Sequence, residues 1–201
     1  MPNLTLVVPW SHALLREVLR PGDAAVDLTA GEGRDTQVLA DAVGPAGRVV
    51  AFDVQAAALK QAAAALRATG CTVVDWMTGC EVPATPGVYL VHACHSTVAA
   101  FVTSPIRAAV ANLGYLPGGD SALTTRPETT CRSLQGTLDL LLAGGRLAVT
   151  VYPGHPGGDV EAAAVDRLFA ALPCPSWQVL RVSVANAPGA PYLLVAEKRS
   201  G

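Results

Sequence analysis

One stretch constrains this chain more than any other: Val26-Asp27-Leu28-Thr29-Ala30-Gly31-Glu32-Gly33-Arg34-Asp35-Thr36. The apolar run Ala24 to Leu28 reads as a buried strand. Gly31-Glu32-Gly33 reads as a tight turn, and Arg34 to Val43 as a helix stopped by Gly44-Pro45. Glycine tolerates backbone conformations closed to other residues, so this bend can turn sharply and bring main chain close to a ligand. On its own it is also what an ordinary strand-to-helix turn looks like. A second strand, Arg48 to Phe52, ends in Asp53, 22 positions after Gly31. A carboxylate there can accept hydrogen bonds from both hydroxyls of an adenosine ribose. The plainer alternative is a helix-capping aspartate for Gln55 to Thr69, which Gly70 closes.

Strand, glycine bend, helix, strand, helix is half of a doubly wound α/β sheet. The 201 residues suffice for one well-buried core, and residues 1–201 are expected to form a single domain. Apolar residues are 51% and charged residues 15%, as suits a parallel sheet covered on both faces. Lys60 and Arg67 interrupt the alanine-rich stretch, so no membrane span is expected. The start lacks the basic segment and apolar core of a secretory signal, which gives a cytoplasmic expectation. Five cysteines with no C-x-x-C pair argue against a disulfide framework or a zinc ribbon, and no metal is expected. The small apolar chain is compatible with a homodimer.

Further elements follow from the same signals. Ser11 is expected to cap a short helix carrying Leu14, Leu15, Val18 and Leu19. Val73-Val74 can begin the third strand, but Pro83 and Pro86 soon break that run; Val88 to Val91 is preferred for it, with Cys71 to Gly87 as an extended loop or hairpin. Ala108 to Asn112 is the fourth strand. Thr125-Arg126-Pro127-Glu128 has the form of a capping box opening a helix to about Ala143. Arg146 to Tyr152 is the fifth strand, and Asp159 is a candidate cap for Val160 to Leu172. Trp177 to Val184 and Tyr192 to Glu197 follow with no helix between them, an antiparallel hairpin. The expected architecture is therefore a seven-stranded, mostly parallel Rossmann-like sheet ending in that hairpin.

The hairpin matters for the ligand, because a dinucleotide-binding sheet would continue with another crossover helix. The dinucleotide fingerprint G-x-G-x-x-G also fails here, since Thr36 stands at its third glycine. Glu32 and Asp35 disfavour a phosphate and suit the cationic sulfonium and ammonium of S-adenosylmethionine (SAM). Asp27 can orient the loop or accept from that ammonium, and Gln55 can touch the adenine or ribose edge. His95, in His92-Ala93-Cys94-His95-Ser96, either meets the adenine or simply starts a helix. After the fourth strand comes Asn112-Leu113-Gly114-Tyr115-Leu116-Pro117-Gly118-Gly119-Asp120. It looks like the Asn/Asp-Pro-Pro-Tyr loop of methyltransferases that act on exocyclic or side-chain nitrogen, with Leu113-Gly114 replacing the prolines. A purely structural glycine loop is the alternative. Tyr152-Pro153-Gly154-His155 follows the fifth strand on the same edge. The net charge of −2 gives no global pull toward nucleic acid, so RNA contact has to be local. Arg126, Arg132 and Arg107 are the nearest basic residues for a phosphate.

With these segments the chain resembles a bacterial family labelled putative rRNA methylases, associated with methylating 5-aminomethyl-2-thiouridine at the tRNA wobble position. The resemblance rests on Asp27 to Thr36, Phe52-Asp53-Val54-Gln55, Cys94-His95, Asn112 to Asp120, Thr124-Thr-Arg-Pro-Glu-Thr-Thr130 and Tyr152 to Gly158. It implies a class I SAM-dependent methyltransferase. SAM would be held by Asp27, Ala30, Gly31, Gly33, Arg34, Asp35, Asp53, Gln55, Cys94 and His95. Asn112 and Tyr115 would face the target amine, with Leu116, Arg126, Tyr152 and His155 as substrate contacts and a tRNA anticodon stem-loop as partner. Glu32 and Arg34 depart from the family's usual residues.

Overall fold

The structure, a computed structural model, describes residues 7–76, 81–114 and 124–200. Its strands join one mixed sheet. They are β1 (Ala24–Asp27), β2 (Arg48–Asp53), β3 (Val73–Trp76), β4 (Gly87–His92), β5 (Ile106–Asn112), β6 (Leu141–Val151), β7 (Trp177–Val182) and β8 (Tyr192–Lys198). The spatial order is β3-β4-β2-β1-β5-β6-β8-β7. β3 through β6 run parallel, whereas β8 is antiparallel to both β6 and β7. The Rossmann-like class and the terminal hairpin are as expected.

Side chains alternate across the inner strands as the period of two demands. Val26, Val50, Phe52, Tyr89, Val91, Ala109 and Ala111 face one core. Ala25, Val49, Ala51, Val88, Leu90, Ala108 and Val110 face the other. The first is covered by α4 (Val98–Phe101), α5 (Pro127–Leu140) and α6 (Gly158–Ala170). The second is covered by α1 (Val7–Val18), α2 (Arg34–Val43) and α3 (Ala56–Ala68). Burial on both faces is why the strands read as continuous apolar runs. Among the described residues no helix is long and apolar enough to cross a membrane.

The sheet has eight strands, not seven. Val73–Trp76 lies parallel to β4, pairing Val73 with Val88 and Trp76 with Val91, so the stretch expected as a loop or hairpin contains a strand of the sheet. Pro83 lies in the connection rather than in a strand. That connection is anchored by Val82, which is buried in the core and whose N–H donates to Phe101 O at 2.8 Å. A four-residue edge strand carries little periodic signal, and its Asp75, paired with Arg67 at 2.9 Å, breaks the apolar run.

Three capping expectations also fail. Ser11 lies inside α1, its hydroxyl donating to Val8 O at 2.7 Å. Thr125 does not cap α5, because its hydroxyl donates to Glu161 instead. Asp159 sits in the first turn of α6, whose N-cap is Gly157 with φ +81°. Helix α5 ends at Leu140, and Gly144-Gly145 fall within β6, where the pairing with β5 shifts register.

The chain builds β2, β3 and β4 on one side of β1, then returns to place β5 on its other side, followed by β6 to β8. The crevice between β1 and β5, at their carboxyl ends, is where ligands collect in such sheets. Gly33 shapes that end. It has φ +87°, and a Cβ there would stand 3.0 Å from Ala62 Cβ on α3. Gly33→Ala is expected to lower unfolding free energy by about 1–3 kcal/mol, from backbone strain and the crowded helix contact. Urea denaturation measures it.

Candidate active site

Asp27 ends β1 wholly buried. Its Oδ1 accepts from Thr29 N at 3.0 Å and its Oδ2 from the Thr36 hydroxyl at 2.6 Å, which closes the glycine bend over the strand end. Burial, and secondarily the charge of Asp35, push its pKa from 3.8 up to about 7 against the opposing pull of those hydrogen bonds. Asp53 ends β2 and joins two loops. Its Oδ2 accepts from Gly31 N at 2.8 Å and its Oδ1 from Gln55 N at 2.8 Å. Each oxygen keeps lone-pair capacity for a hydroxyl donor.

Above these groups lies a cavity of about 1080 Å³ at the carboxyl ends of the central strands. Of the residues expected to hold the cofactor, Ala30, Gly31, Arg34, Asp35, Asp53, Gln55, Cys94 and His95 line it. Asp27 and Gly33 are not on the lining: Asp27 braces the loop from below, and Gly33 provides the close approach to α3. His95 opens the short turn after β4. Its Nδ1 lies 3.3 Å from Leu28 O, while its buried Nε2 has no partner among the described residues. Burial lowers its pKa, so the ring is neutral, and donation from Nδ1 to the carbonyl leaves Nε2 as an acceptor.

On the other side of the crevice, Asn112 ends β5. Its backbone N–H donates to Thr29 Oγ1 at 2.8 Å, and its side-chain Nδ2 donates to Asp35 Oδ2. Because Asp35 requires a donor, the amide is turned so that Oδ1 is its other arm. That oxygen is buried, belongs to a lining residue and has no partner among the described residues. Arg126, Tyr152 and His155 complete this wall. Burial, with the nearby charge of Asp35, raises the Tyr152 pKa, so the phenol keeps its proton. Tyr115 and Leu116 lie outside the described residues. Arg107 is at the opposite end of β5, donating to Ala143 O at 2.7 Å, and Arg132 is absent from the lining.

Two groups were missed by sequence reasoning. His12, from α1, lines the cavity and places Nε2 2.5 Å from Asp35 Oδ1. Glu161 is buried on α6 and accepts from the hydroxyls of Thr125 and Thr130, each at 2.7 Å. Thr125 Oγ1 in turn accepts from Gly114 N at 2.7 Å, so Glu161 holds the neck of the segment after Asn112. An acid in the first turn of an alanine-rich helix was the only available signal for Glu161. His12 offered none beyond being polar on an amphipathic helix.

Fold and site define a class: a SAM-dependent methyltransferase with the Rossmann-like architecture. Comparison with known proteins narrows it. The family model described as "Putative rRNA methylase" matches residues 49–198, and that of the ubiE/COQ5 methyltransferase family matches residues 10–85. The chain belongs to the former family. It is 33% identical over 196 residues to the chloroplastic tRNA (mnm(5)s(2)U34)-methyltransferase of Arabidopsis thaliana, covering 94% of this chain and 68% of that protein. A crystal structure titled as a putative rRNA methylase of Clostridium thermocellum superposes with TM-score 0.86 at 31% identity, covering 98% of both chains. A putative methyltransferase of Streptococcus mutans, in complex with SAH, gives 0.81 at 32%, covering 98% of this chain and 99% of that one.

The raised pKa of Asp27 has a consequence for stability. Folded, the carboxyl keeps its proton up to about pH 7; unfolded, it releases it near 3.8. The folded state binds more protons in that window, so this group's contribution to stability falls as pH rises through it. Asp27→Asn keeps an acceptor for Thr29 N and a polar partner for Thr36 while removing the titration. Its stability relative to wild type is expected to be higher at about pH 8 than at about pH 5, as urea midpoints would register.

Proposed function

We propose that the protein transfers a methyl group from SAM to the aminomethyl nitrogen of 5-aminomethyl-2-thiouridine at the wobble position of a tRNA. The observation that carries this reading is the buried Oδ1 of Asn112, a residue of the cavity wall, which has no partner among the described residues. A buried acceptor without a donor is costly, and an amine N–H satisfies it. The Arabidopsis relative is a tRNA (mnm(5)s(2)U34)-methyltransferase, a name that carries the same class of nucleotide.

The lining suits the donor. Asp53 offers its carboxylate to the two ribose hydroxyls, Gln55 sits beside it, and His95 Nε2 is an acceptor for the exocyclic amine of adenine. Glu32, Asp35 and Asp53 give the wall the negative charge a sulfonium requires. When bound, SAM supplies an activated methyl with its leaving group built in. The protein then has to orient the nucleophile and exclude water, and effective molarity provides much of the rate. Asn112 Oδ1, accepting one amine hydrogen, aims the nitrogen lone pair. Tyr152, Leu113 and Phe52 provide apolar walls, while Arg126 on the same lining is available for a backbone phosphate. Few cationic groups suffice when one nucleotide is inspected rather than a long duplex gripped.

Labelled SAM, offered with tRNA bearing or lacking the aminomethyl group, tests the reading; label is expected only in the amine-bearing tRNA. Transfer to ribosomal RNA, which the family's description names, or to a small amine alone, overturns the substrate assignment. Asn112→Ala is expected to reduce kcat/KM about 10²-fold through lost positioning, with the Kd for SAM nearly unchanged. Asp53→Ala should instead weaken SAM binding about 10- to 100-fold by calorimetry, the value of a charged hydrogen-bond pair.

A further inference from the structure

We infer that His12 and Asp35 form a positioning pair that locks the Asn112 amide with its oxygen toward the substrate. The inference rests on the proposed amine chemistry and adds a residue from the N-terminal helix to it. An asparagine amide can turn end for end at little cost, and only one orientation presents an acceptor. In the other, Nδ2 faces the amine, and two donors oppose each other.

Three observations carry the inference. Asp35 Oδ2 accepts from Asn112 Nδ2, and a carboxylate, having no proton, cannot tolerate the flipped amide. Asp35 Oδ1 is engaged by His12 Nε2 at 2.5 Å, so the carboxylate is held from both sides. Both partners are largely withdrawn from solvent, with side-chain exposures of 20% for His12 and 10% for Asp35, where a charge-assisted contact is poorly screened. Opposite a carboxylate oxygen, which can only accept, His12 Nε2 serves as the donor. Asp35 also lies in the first turn of α2, just after the glycine bend, whereas His12 comes from α1, which packs over β5, β6 and β8. The pair therefore ties the orientation of Asn112 to two helices on one face of the sheet.

Two readouts separate this role from a merely structural one. In the ¹⁵N–¹H spectrum, the Asn112 side-chain amide is assigned as the signal missing from Asn112→Ser. It is expected downfield of the other amides, and to move upfield in Asp35→Ala and His12→Leu. His12→Gln, whose amide nitrogen can stand where Nε2 stood, keeps it downfield. An unmoved signal in His12→Leu overturns the inference, whatever substrate the enzyme takes. On an accepted amine substrate, His12→Leu is expected to lower kcat at least about tenfold with little change in the Kd for SAM, and His12→Gln to recover most of that loss. Equal impairment in both variants, or none in His12→Leu, also overturns it. Failure of wild-type enzyme on aminomethyl tRNA counts against the substrate assignment, while the amide signal still decides the lock.

Discussion

A single carboxyl group, sealed from solvent at the end of the central strand, sets the geometry on which the site depends. Asp27 holds Thr29 N with one oxygen and the Thr36 hydroxyl with the other, so both ends of the glycine bend are tied to β1. Thr29 then accepts from the backbone of Asn112, which sets β5 against the same loop. Asn112 passes the connection to Asp35, and Asp35 to His12. One contiguous polar network thus runs from the floor of the crevice to both of its walls. In a low-dielectric interior such a network is stiff only when its members are satisfied. Three buried atoms of lining residues, Asn112 Oδ1, His95 Nε2 and Thr124 Oγ1, have no partner among the described residues.

The topology explains why these groups meet. β1 and β5 are neighbours in space but separated in sequence by two inner strands, the edge strand β3 and three helices. Reversal of strand order opens a crevice at their ends, and both Asp27 and Asn112 are the last residues of their strands. Residues at strand ends are held by the sheet, so their side chains are placed with the precision of the ladder rather than of a loop. Glu161 extends this support to the neck at Gly114 and Thr125 from α6. A site whose chemistry is mostly orientation benefits directly from rigid anchoring of this kind.

Much of this was legible beforehand, for identifiable reasons. The glycine bend and Asp53 carry local signals: positive φ at Gly31 and Gly33, and an acid closing an apolar run. The terminal hairpin showed as two strands with no helix between them. β3 was missed because four edge residues with a charge among them have no clear period. Ser11 and Thr125 misled because residue type favours a cap, while Ser11 lies inside its own helix and bonds back to Val8 O, and Thr125 finds a tertiary acceptor in Glu161. Arg107, read as available for phosphate, lies at the far end of its strand, where a one-dimensional reading cannot see direction.

By itself, the order of residues determined the class of fold and the chemistry of the cofactor wall, because both rest on contacts local in sequence: periodicity, turns and strand-terminal acids. Only the tertiary structure decided which end of the Asn112 amide Asp35 engages and which groups hold it there. Those partners, Asp35 and His12, lie 77 and 100 positions away along the chain. Hydrogen bonds at such separations leave no spacing signal, since it is the packing of α1 and α2 over the sheet that brings the donors and acceptors together.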